Sequence, residues 1–209
     1  MTEPLFRDFT HVPEAYLGLV KFFLQDFRDV YHLPTGAHDL HLLETGRLTD
    51  DEFFDRLCAR WASESDERVD PREAQRYVWG KSMVACGAME DAVRQLRGAG
   101  IRTALLTNIS RDGEAIWRSL VPTDELFDTV IDSSKVGLRK PDPQIYLLTC
   151  ERLGLQPQEC LFVDDLRCNI EAATALGMDT IHCHDPVDIA DEVVRRFLGH
   201  SAAAEATSG

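Results

Sequence analysis

The sequence is short of basic residues and has no long apolar run. Its 209 residues include 22 Lys and Arg but 36 Asp and Glu, which gives a formal net charge of −14. Binding to a phosphate backbone requires clustered Lys and Arg, and a bilayer-spanning helix needs about 18 consecutive apolar residues. The N-terminus also lacks the basic and apolar regions of a signal peptide. We therefore expect a cytoplasmic protein with neither a nucleic-acid nor a membrane partner, while its oligomeric state stays open.

Paired cysteine motifs are also absent. No two of the six cysteines form the CxxC motif that zinc sites and thioredoxin-like redox sites use. The sequence therefore predicts reduced structural thiols rather than a disulfide framework.

An apolar run that ends in two carboxylates is the most informative feature present. Leu161, Phe162 and Val163 are followed directly by Asp164 and Asp165. Such a run suits a buried strand, and ligands of open α/β sheets gather at the carboxyl ends of strands. Two adjacent carboxylates there suit Mg²⁺, which takes hard oxygen ligands. The alternative is a strand followed by a solvated turn.

Two further segments carry polar groups that suit the same site. The apolar run 103–106 ends in Thr107 and Asn108, with Ser110 close behind, and these groups suit either an anion site or simple N-cap and turn positions. Downstream, Pro141 stiffens the loop that carries Lys140, and a helix is expected just after it. A lysine fixed opposite two aspartates would neutralise both carboxylates and a phosphate, whereas a solvated charge is the alternative.

The pattern of apolar residues predicts a helical block followed by an α/β unit. Amphipathic periodicity indicates a helix over 12–31, a capping box begins the next at Thr49, and a third begins near Asp70. From Gly87, strands and helices alternate, which predicts a doubly wound parallel sheet of the Rossmann-like kind. The predicted strands are 101–107, 128–132, 160–164 and 179–183. The predicted helices before, between and after these strands are 88–98, 111–120, 143–153, 168–176 and 187–198.

In its order of strand-Thr, loop-Lys and strand-Asp-Asp, the chain resembles the haloacid dehalogenase-like hydrolase superfamily. The resemblance is close over residues 87–184. It implies a small helical cap domain that closes over the active site of an α/β core. The corresponding division is a start segment at 1–12, the cap at 13–82, the core at 83–199 and a disordered tail at 200–209.

The resemblance also implies roles for individual residues. Thr107 and Lys140 correspond to the groups that bind and orient the phosphoryl group, and Asp164 and Asp165 to the acidic pair that binds Mg²⁺. Asn108 is placed to touch the substrate or the attacking water. A small phosphorylated substrate is implied as well. One helical turn beyond the acidic pair, Asn169 falls where relatives place a group that supports the metal or its loop.

The acidic pair favours one branch of this superfamily. Dehalogenases need no metal and resemble a Ser-Ser-Asn pattern at this turn, so Asp164 and Asp165 indicate the Mg²⁺-dependent phosphatases. Residues 139–146 resemble small phosphatases that act on sugar phosphates and the phosphatase domain of soluble epoxide hydrolases. A metal-independent dehalogenase is the disfavoured alternative, testable by chloride release.

The nucleophile motif of the superfamily is not found in this chain. Its members open with a central strand ending in Asp-x-Asp, and no Asp-x-Asp occurs among the 209 residues. Two accounts are open. In the first, the motif lies upstream of Met1 or has been lost. In the second, Asp8 is the nucleophile of a degenerate motif in which Thr10 replaces the acid/base. Against Asp8, Pro4 removes a ladder donor and Arg7 would lie on a strand covered on both faces.

Without that strand, main-chain groups of its two neighbours would lack partners. We therefore expect the chain as written to be inactive and marginally stable, with a non-catalytic binding or regulatory protein as the alternative. Substrate choice is expected to depend on the cap, where His38, His41, Glu44 and Arg47 are candidates, although a solvated turn would explain each of them.

Overall fold

The computed structural model describes residues 12–79 and 85–199, which fold into helices and parallel strands. The start of the chain, with Asp8, and the expected disordered tail therefore lie outside the described residues. The elements are α1 Glu14–Val30, α2 Asp39–Glu44, α3 Asp50–Ser65, α4 Pro71–Trp79, α5 Gly87–Gly98, β1 Ala104–Thr107, α6 Gly113–Leu120, α7 Thr123–Leu126, β2 Thr129–Asp132, α8 Ser133–Val136, α9 Pro143–Leu153, β3 Leu161–Asp164, α10 Arg167–Ala175, β4 Asp179–His182 and α11 Pro186–Leu198.

Residues 12–79 form a helical unit with its own apolar core. Helices α1 to α4 pack around one continuous cluster in which Phe23 meets Phe53 edge to face, with ring centroids 6.3 Å apart. The predicted capping box is confirmed, because the Glu52 N–H donates to Thr49 Oγ1 at 3.2 Å and the Thr49 N–H donates to Glu52 Oε2 at 2.9 Å. The domain boundaries stay predictions.

Residues 85–199 form an α/β unit in which helices cover both faces of parallel strands. The alternation predicted from the sequence is confirmed, and the predicted strand and helix bounds fall within three residues of the observed ones. The largest shift is at β1, which was expected from residue 101. It begins later because the Thr103 N–H and hydroxyl donate to Asp128 Oδ2 at 2.7 Å and the Leu126 carbonyl at 2.6 Å, bonds that replace the regular ladder.

The strands form two parallel pairs rather than one continuous sheet. β1 pairs with β2 in the register Ala104 to Thr129, and β3 pairs with β4 in the register Leu161 to Asp179. Within 12–79 and 85–199, no ladder joins β1 to β3. A cavity of about 720 Å³ is lined by residues of both strands, and every residue of β1 is only half-buried.

The helices of the described ranges do not combine the length and the apolar character that a membrane crossing requires.

Candidate active site

Lys140 lies at the carboxyl ends of both strand pairs. Its Nζ donates to Asp164 Oδ2 at 2.7 Å and to the Leu106 carbonyl at 3.1 Å, so a single ammonium group reaches both β3 and β1. The helix that follows begins as predicted, with the Asp142 carboxylate accepting the Gln144 N–H at 2.9 Å. This loop holds the lysine beside the acidic pair, as the sequence led us to expect.

The carboxylate of Asp164 is buried and held from three sides. Its Oδ1 accepts the Leu166 N–H at 2.8 Å and the Asn169 side-chain amide at 2.9 Å, while Lys140 occupies Oδ2. Asp165, the next residue, is half-buried, and its main-chain carbonyl lies 2.9 Å from His182 Nε2. The two carboxylates thus differ, because Asp164 is tied into the fold while Asp165 lies nearer to solvent.

Thr107 and Asn108 end β1 at the same edge but make different contacts. Thr107 is half-buried, and no part of the chain that the structure describes accepts or donates a hydrogen bond at its hydroxyl. Asn108 accepts the Lys140 N–H at 2.8 Å and donates to the Lys140 carbonyl at 2.9 Å and to Tyr31 Oη at 2.7 Å. Both amide hydrogens are therefore engaged, which favours a positioning role over the contact with substrate that we expected.

Ser110 holds the turn before α6 and contacts the helical unit. Its hydroxyl donates to Asp50 Oδ1 at 3.0 Å and accepts the Gly113 N–H at 3.2 Å at the start of α6. These bonds fit the turn position that was one of its predicted alternatives, while the N-cap of α6 is Asp112.

A buried ion pair that sequence reasoning missed joins the two units behind Lys140. Arg139 is 0% exposed, and its Nε donates to Glu44 Oε2 at 2.6 Å. Its Nη1 donates to the Tyr31 carbonyl at 3.2 Å, and its guanidinium lies 4.5 Å from the centroid of the Tyr31 ring. Burial raises the pKa of Glu44, while the charge of Arg139 opposes that shift. Arg139 and Glu44 are 95 residues apart, so no local spacing pointed to the pair.

The turn around α2 carries the four polar candidates of the cap. A solvated turn would have explained all four, but two of them are buried. His41 and Glu44 are both buried, and the two ring nitrogens of His41 lie 2.8 Å and 3.2 Å from the carbonyls of Val30 and Pro34. Burial, and next the charge of Arg139, lower the pKa of His41 to about 4. Gly46 has a φ of 69°, and a Cβ there would lie 2.4 Å from the Ser134 carbonyl. The turn is buried because it packs directly on the α/β unit.

The acidic pair offers oxygen ligands that fit a hard cation. Among residues 12–79 and 85–199, no three His, Cys, Asp or Glu side chains form a ready metal cluster. Mg²⁺ commonly binds through one or two carboxylates and completes its shell with water and phosphate oxygens, so this pair fits it. The neighbouring Cys168 is a soft sulfur group, for which a hard cation such as Mg²⁺ has little preference.

Comparison with known proteins assigns the fold to a family. The model described as haloacid dehalogenase-like hydrolase matches residues 6–177. The chain belongs to this family. Among solved structures it is similar to a haloacid dehalogenase family enzyme from Bacteroides thetaiotaomicron, in complex with magnesium and inorganic phosphate, with a TM-score of 0.59, 20% identity, and coverage of 81% of this chain and 85% of that one. At that identity, the likeness shows the fold alone.

Curated relatives include phosphatases and larger proteins. The chain is 41% identical over 149 residues to acyl-CoA dehydrogenase family member 10 of Mus musculus, covering 68% of this chain and 13% of that protein. It is 30% identical over 151 residues to bifunctional epoxide hydrolase 2 of Sus scrofa, covering 68% and 27%. A sesquiterpene phosphatase of Aspergillus oryzae is 32% identical over 111 residues, covering 53% and 56%. The chain thus spans a small part of the first two relatives.

Proposed function

We propose that this chain is a Mg²⁺-dependent phosphatase unit for a small phosphomonoester. The observation that carries the proposal is the position of Lys140, whose ammonium joins the carboxyl ends of β1 and β3 beside Thr107 and Asp165. A fixed cation, a hydroxyl and a pair of carboxylates at one edge are the groups that phosphoryl transfer needs for positioning and charge neutralisation. The phosphatases among the relatives support the same reaction class.

The two aspartates divide the work in this proposal. Asp164 Oδ2 already accepts from Lys140, so its first task is to hold that ammonium in place. Asp165 is then the principal Mg²⁺ ligand. Asn169 supports the pair by donating its side-chain amide to Asp164 Oδ1. When bound, Mg²⁺ would neutralise charge on the phosphoryl oxygens. Lys140 and the hydroxyl of Thr107 hold the phosphoryl group itself.

Covalent transfer also needs a nucleophile, which the family resemblance implies to be an aspartate. The described residues leave that role unassigned. Asp8 is the candidate within residues 1–209, and an aspartate upstream of Met1 is the alternative that we favour. The chain as written is then expected to bind phosphate without turnover. The nature of the small substrate, including a sugar phosphate, follows from the resemblance of residues 139–146 and belongs to the proposal.

The test is hydrolysis of p-nitrophenyl phosphate with and without Mg²⁺, by residues 1–209 and by a version extended upstream with an apolar strand ending in Asp-x-Asp. We expect activity only in the extended version and only with Mg²⁺. Lys140→Ala and Asp165→Asn should each lower its kcat by at least about 100-fold. Lys135→Ala and Asp179→Asn are matched controls, because those side chains are 54% and 62% exposed. Normal turnover by Lys140→Ala would refute the assignment.

A non-catalytic role is the second candidate, because the 209 residues contain no Asp-x-Asp motif. Inactivity of both versions, together with retained folding and Mg²⁺-dependent binding of inorganic phosphate, would favour a binding or regulatory protein.

A further inference from the structure

Tyr31 lies directly after α1, at the boundary of the two units, and its ring is held on two sides. The side chain is buried, and its ring centroid lies 4.6 Å from that of Phe27 in α1. The guanidinium of Arg139 lies 4.5 Å from the Tyr31 ring centroid and also donates to the Tyr31 carbonyl. The hydroxyl takes no part in these contacts. Its position is therefore set by the ring and does not depend on the bonds that the hydroxyl makes itself.

The Tyr31 hydroxyl reaches the side-chain amide that holds the lysine loop. It accepts from Asn108 Nδ2 at 2.7 Å. The same amide bonds both main-chain groups of Lys140, with Oδ1 accepting the N–H at 2.8 Å and Nδ2 donating to the carbonyl at 2.9 Å. The bond to Tyr31 fixes the plane of this amide. Glu44 Oε2 lies 3.5 Å from Nδ2 and already accepts from Arg139, so it is a poor substitute for the phenol.

The same phenol faces the side-chain amide that holds the acidic turn. Burial raises the pKa of Tyr31 well above its usual value, and the side chain of Asn169 is one of the groups that oppose this rise. Asn169 in turn donates to Asp164 Oδ1 at 2.9 Å, and Lys140 donates to the other oxygen of that carboxylate at 2.7 Å. One phenol of the helical unit therefore meets the two amides that hold the opposite partners of a single ion pair.

We propose that Tyr31 is a positioning residue for the proposed phosphatase site. Through Asn108, its phenol fixes the peptide units of Lys140. Through Asn169, it fixes the carboxylate of Asp164. Charge stabilisation depends on donors that are held in place before the reaction, so loss of the phenol weakens the site without removing any of its charged groups. The inference rests on the proposed function for the identity of the ligand, whereas the positioning itself is measured without a ligand.

The first measurement compares the amide NMR signals of the 209-residue protein and its Tyr31→Phe variant, without Mg²⁺ or phosphate. Phenylalanine keeps the ring contacts, so only the hydroxyl is lost. The Lys140 N–H reports on Asn108 Oδ1, to which it donates at 2.8 Å. The Leu166 N–H reports on Asp164 Oδ1 in the same way, at 2.8 Å. We expect both amide protons to shift upfield as these bonds lengthen, and to exchange at least about tenfold faster.

Two controls separate positioning from a general loss of order. The Gln144 N–H, which donates to Asp142 Oδ1 at the start of α9, should keep its shift in Tyr31→Phe. Tyr16→Phe removes a phenol of α1 that donates to the carboxylate of Glu73, and it should leave both reporter amides unchanged. Unchanged reporters in Tyr31→Phe would overturn the proposal. Equal changes throughout the helical unit would show a merely structural phenol and would overturn it as well.

Calorimetry of inorganic phosphate binding in the presence of Mg²⁺ tests the consequence for the site. We expect Tyr31→Phe to weaken binding by about fivefold, and Tyr16→Phe to leave it unchanged. The loss in the double variant Tyr31→Phe/Asn108→Ala should fall well short of the product of the two single losses, because Tyr31 acts through Asn108. A loss equal to that product would mean that the phenol acts elsewhere, which overturns the proposal.

In the version extended upstream, turnover gives a further readout. Tyr31→Phe should lower kcat at least about tenfold and raise KM less than that, since fixed donors matter most in the transition state. Unchanged phosphate affinity and kcat in Tyr31→Phe would overturn the positioning role and leave the proposed function intact. Absence of phosphate binding and of turnover in every version, with the expected changes at both reporter amides, would support the positioning and count against the proposed function.

Discussion

The helical unit and the α/β unit bury their apolar residues in different ways. In residues 12–79, side chains from all four helices meet in one cluster, which Leu166 of the α/β unit joins. In residues 85–199, one cluster gathers around Tyr146 and another around Val193, and these lie on opposite faces of the strands. The helical core is one continuous cluster, whereas the two halves of the α/β core border the cavity lined by β1 and β3. The apolar residues of the α/β unit are thus packed less continuously than those of the helical unit.

The largest expected effect comes from the same substitution made in each core. Phe53→Ala should lower the free energy of unfolding by about 3–5 kcal/mol, because Phe53 is 1% exposed in a continuous core. Phe162→Ala should cost about half as much, since Phe162 is half-buried and lines the cavity between β1 and β3. Urea unfolding measures both. Equal costs would show that the two cores are equally well packed, and the comparison would fail.

The boundary between the two units should be nearly as sensitive. Glu44→Gln leaves the buried guanidinium of Arg139 without its counter-charge, and we expect a loss of about 3 kcal/mol in the free energy of unfolding. Glu64→Gln is the control, because Glu64 is an exposed residue of α3 in the helical unit. In an active, extended version, Glu44→Gln should also lower kcat more than it raises KM, since Arg139 precedes Lys140. An unchanged free energy of unfolding would mean that the Glu44–Arg139 pair does not stabilise the contact between the two units.

Acid should weaken the helical unit through His41. Its pKa is lowered to about 4 in the folded state, whereas the unfolded chain binds the proton near pH 6.5. The unfolded state therefore holds more protons between these values, and stability falls as the pH drops from about 6.5 to 4. The loss from pH 7 to pH 5 is about 2 kcal/mol. Denaturant unfolding across this range should show a shallower slope for His41→Gln, and an unchanged slope would assign the effect to other groups.

Helix caps should show the smallest effects and no difference between the units. Thr49→Ala removes the cap of α3, and Asp142→Ala removes the cap of α9. Each should cost about 1 kcal/mol, because a cap acts on local N–H groups. Thermal unfolding at fixed pH checks both. A markedly larger cost for Asp142→Ala would show that this carboxylate stabilises the loop before α9 as well as the helix itself.

Features set by neighbouring residues were predictable from the sequence. The capping box at Thr49, the start of α9 after Asp142 and the alternation from Gly87 all depend on spacings of a few residues. The approach of Lys140 to Asp164 was one of two alternatives drawn from the loop that carries the lysine, the other being a solvated charge. The parallel strands predicted from this alternation are present, and within the described residues they form the two pairs β1–β2 and β3–β4.

Long-range contacts were beyond the reach of such patterns. Glu44 and Arg139 each look like an ordinary surface charge in sequence, and only the packing of α2 against the α/β unit buries them together. The same holds for Asn108, whose bond to Tyr31 joins residues 77 positions apart. Local sequence patterns could not show which of these residues hold the others in place.

The buried Glu44–Arg139 pair has a consequence for how the molecule comes apart. Separating the helical unit from the α/β unit would leave each with a charged group whose partner is gone, in a surface shaped to exclude water. A half-dissociated molecule is therefore costly, although each unit has apolar clusters of its own. The two units should then melt as one cooperative body, with equal calorimetric and van't Hoff enthalpies, rather than as two domains in sequence.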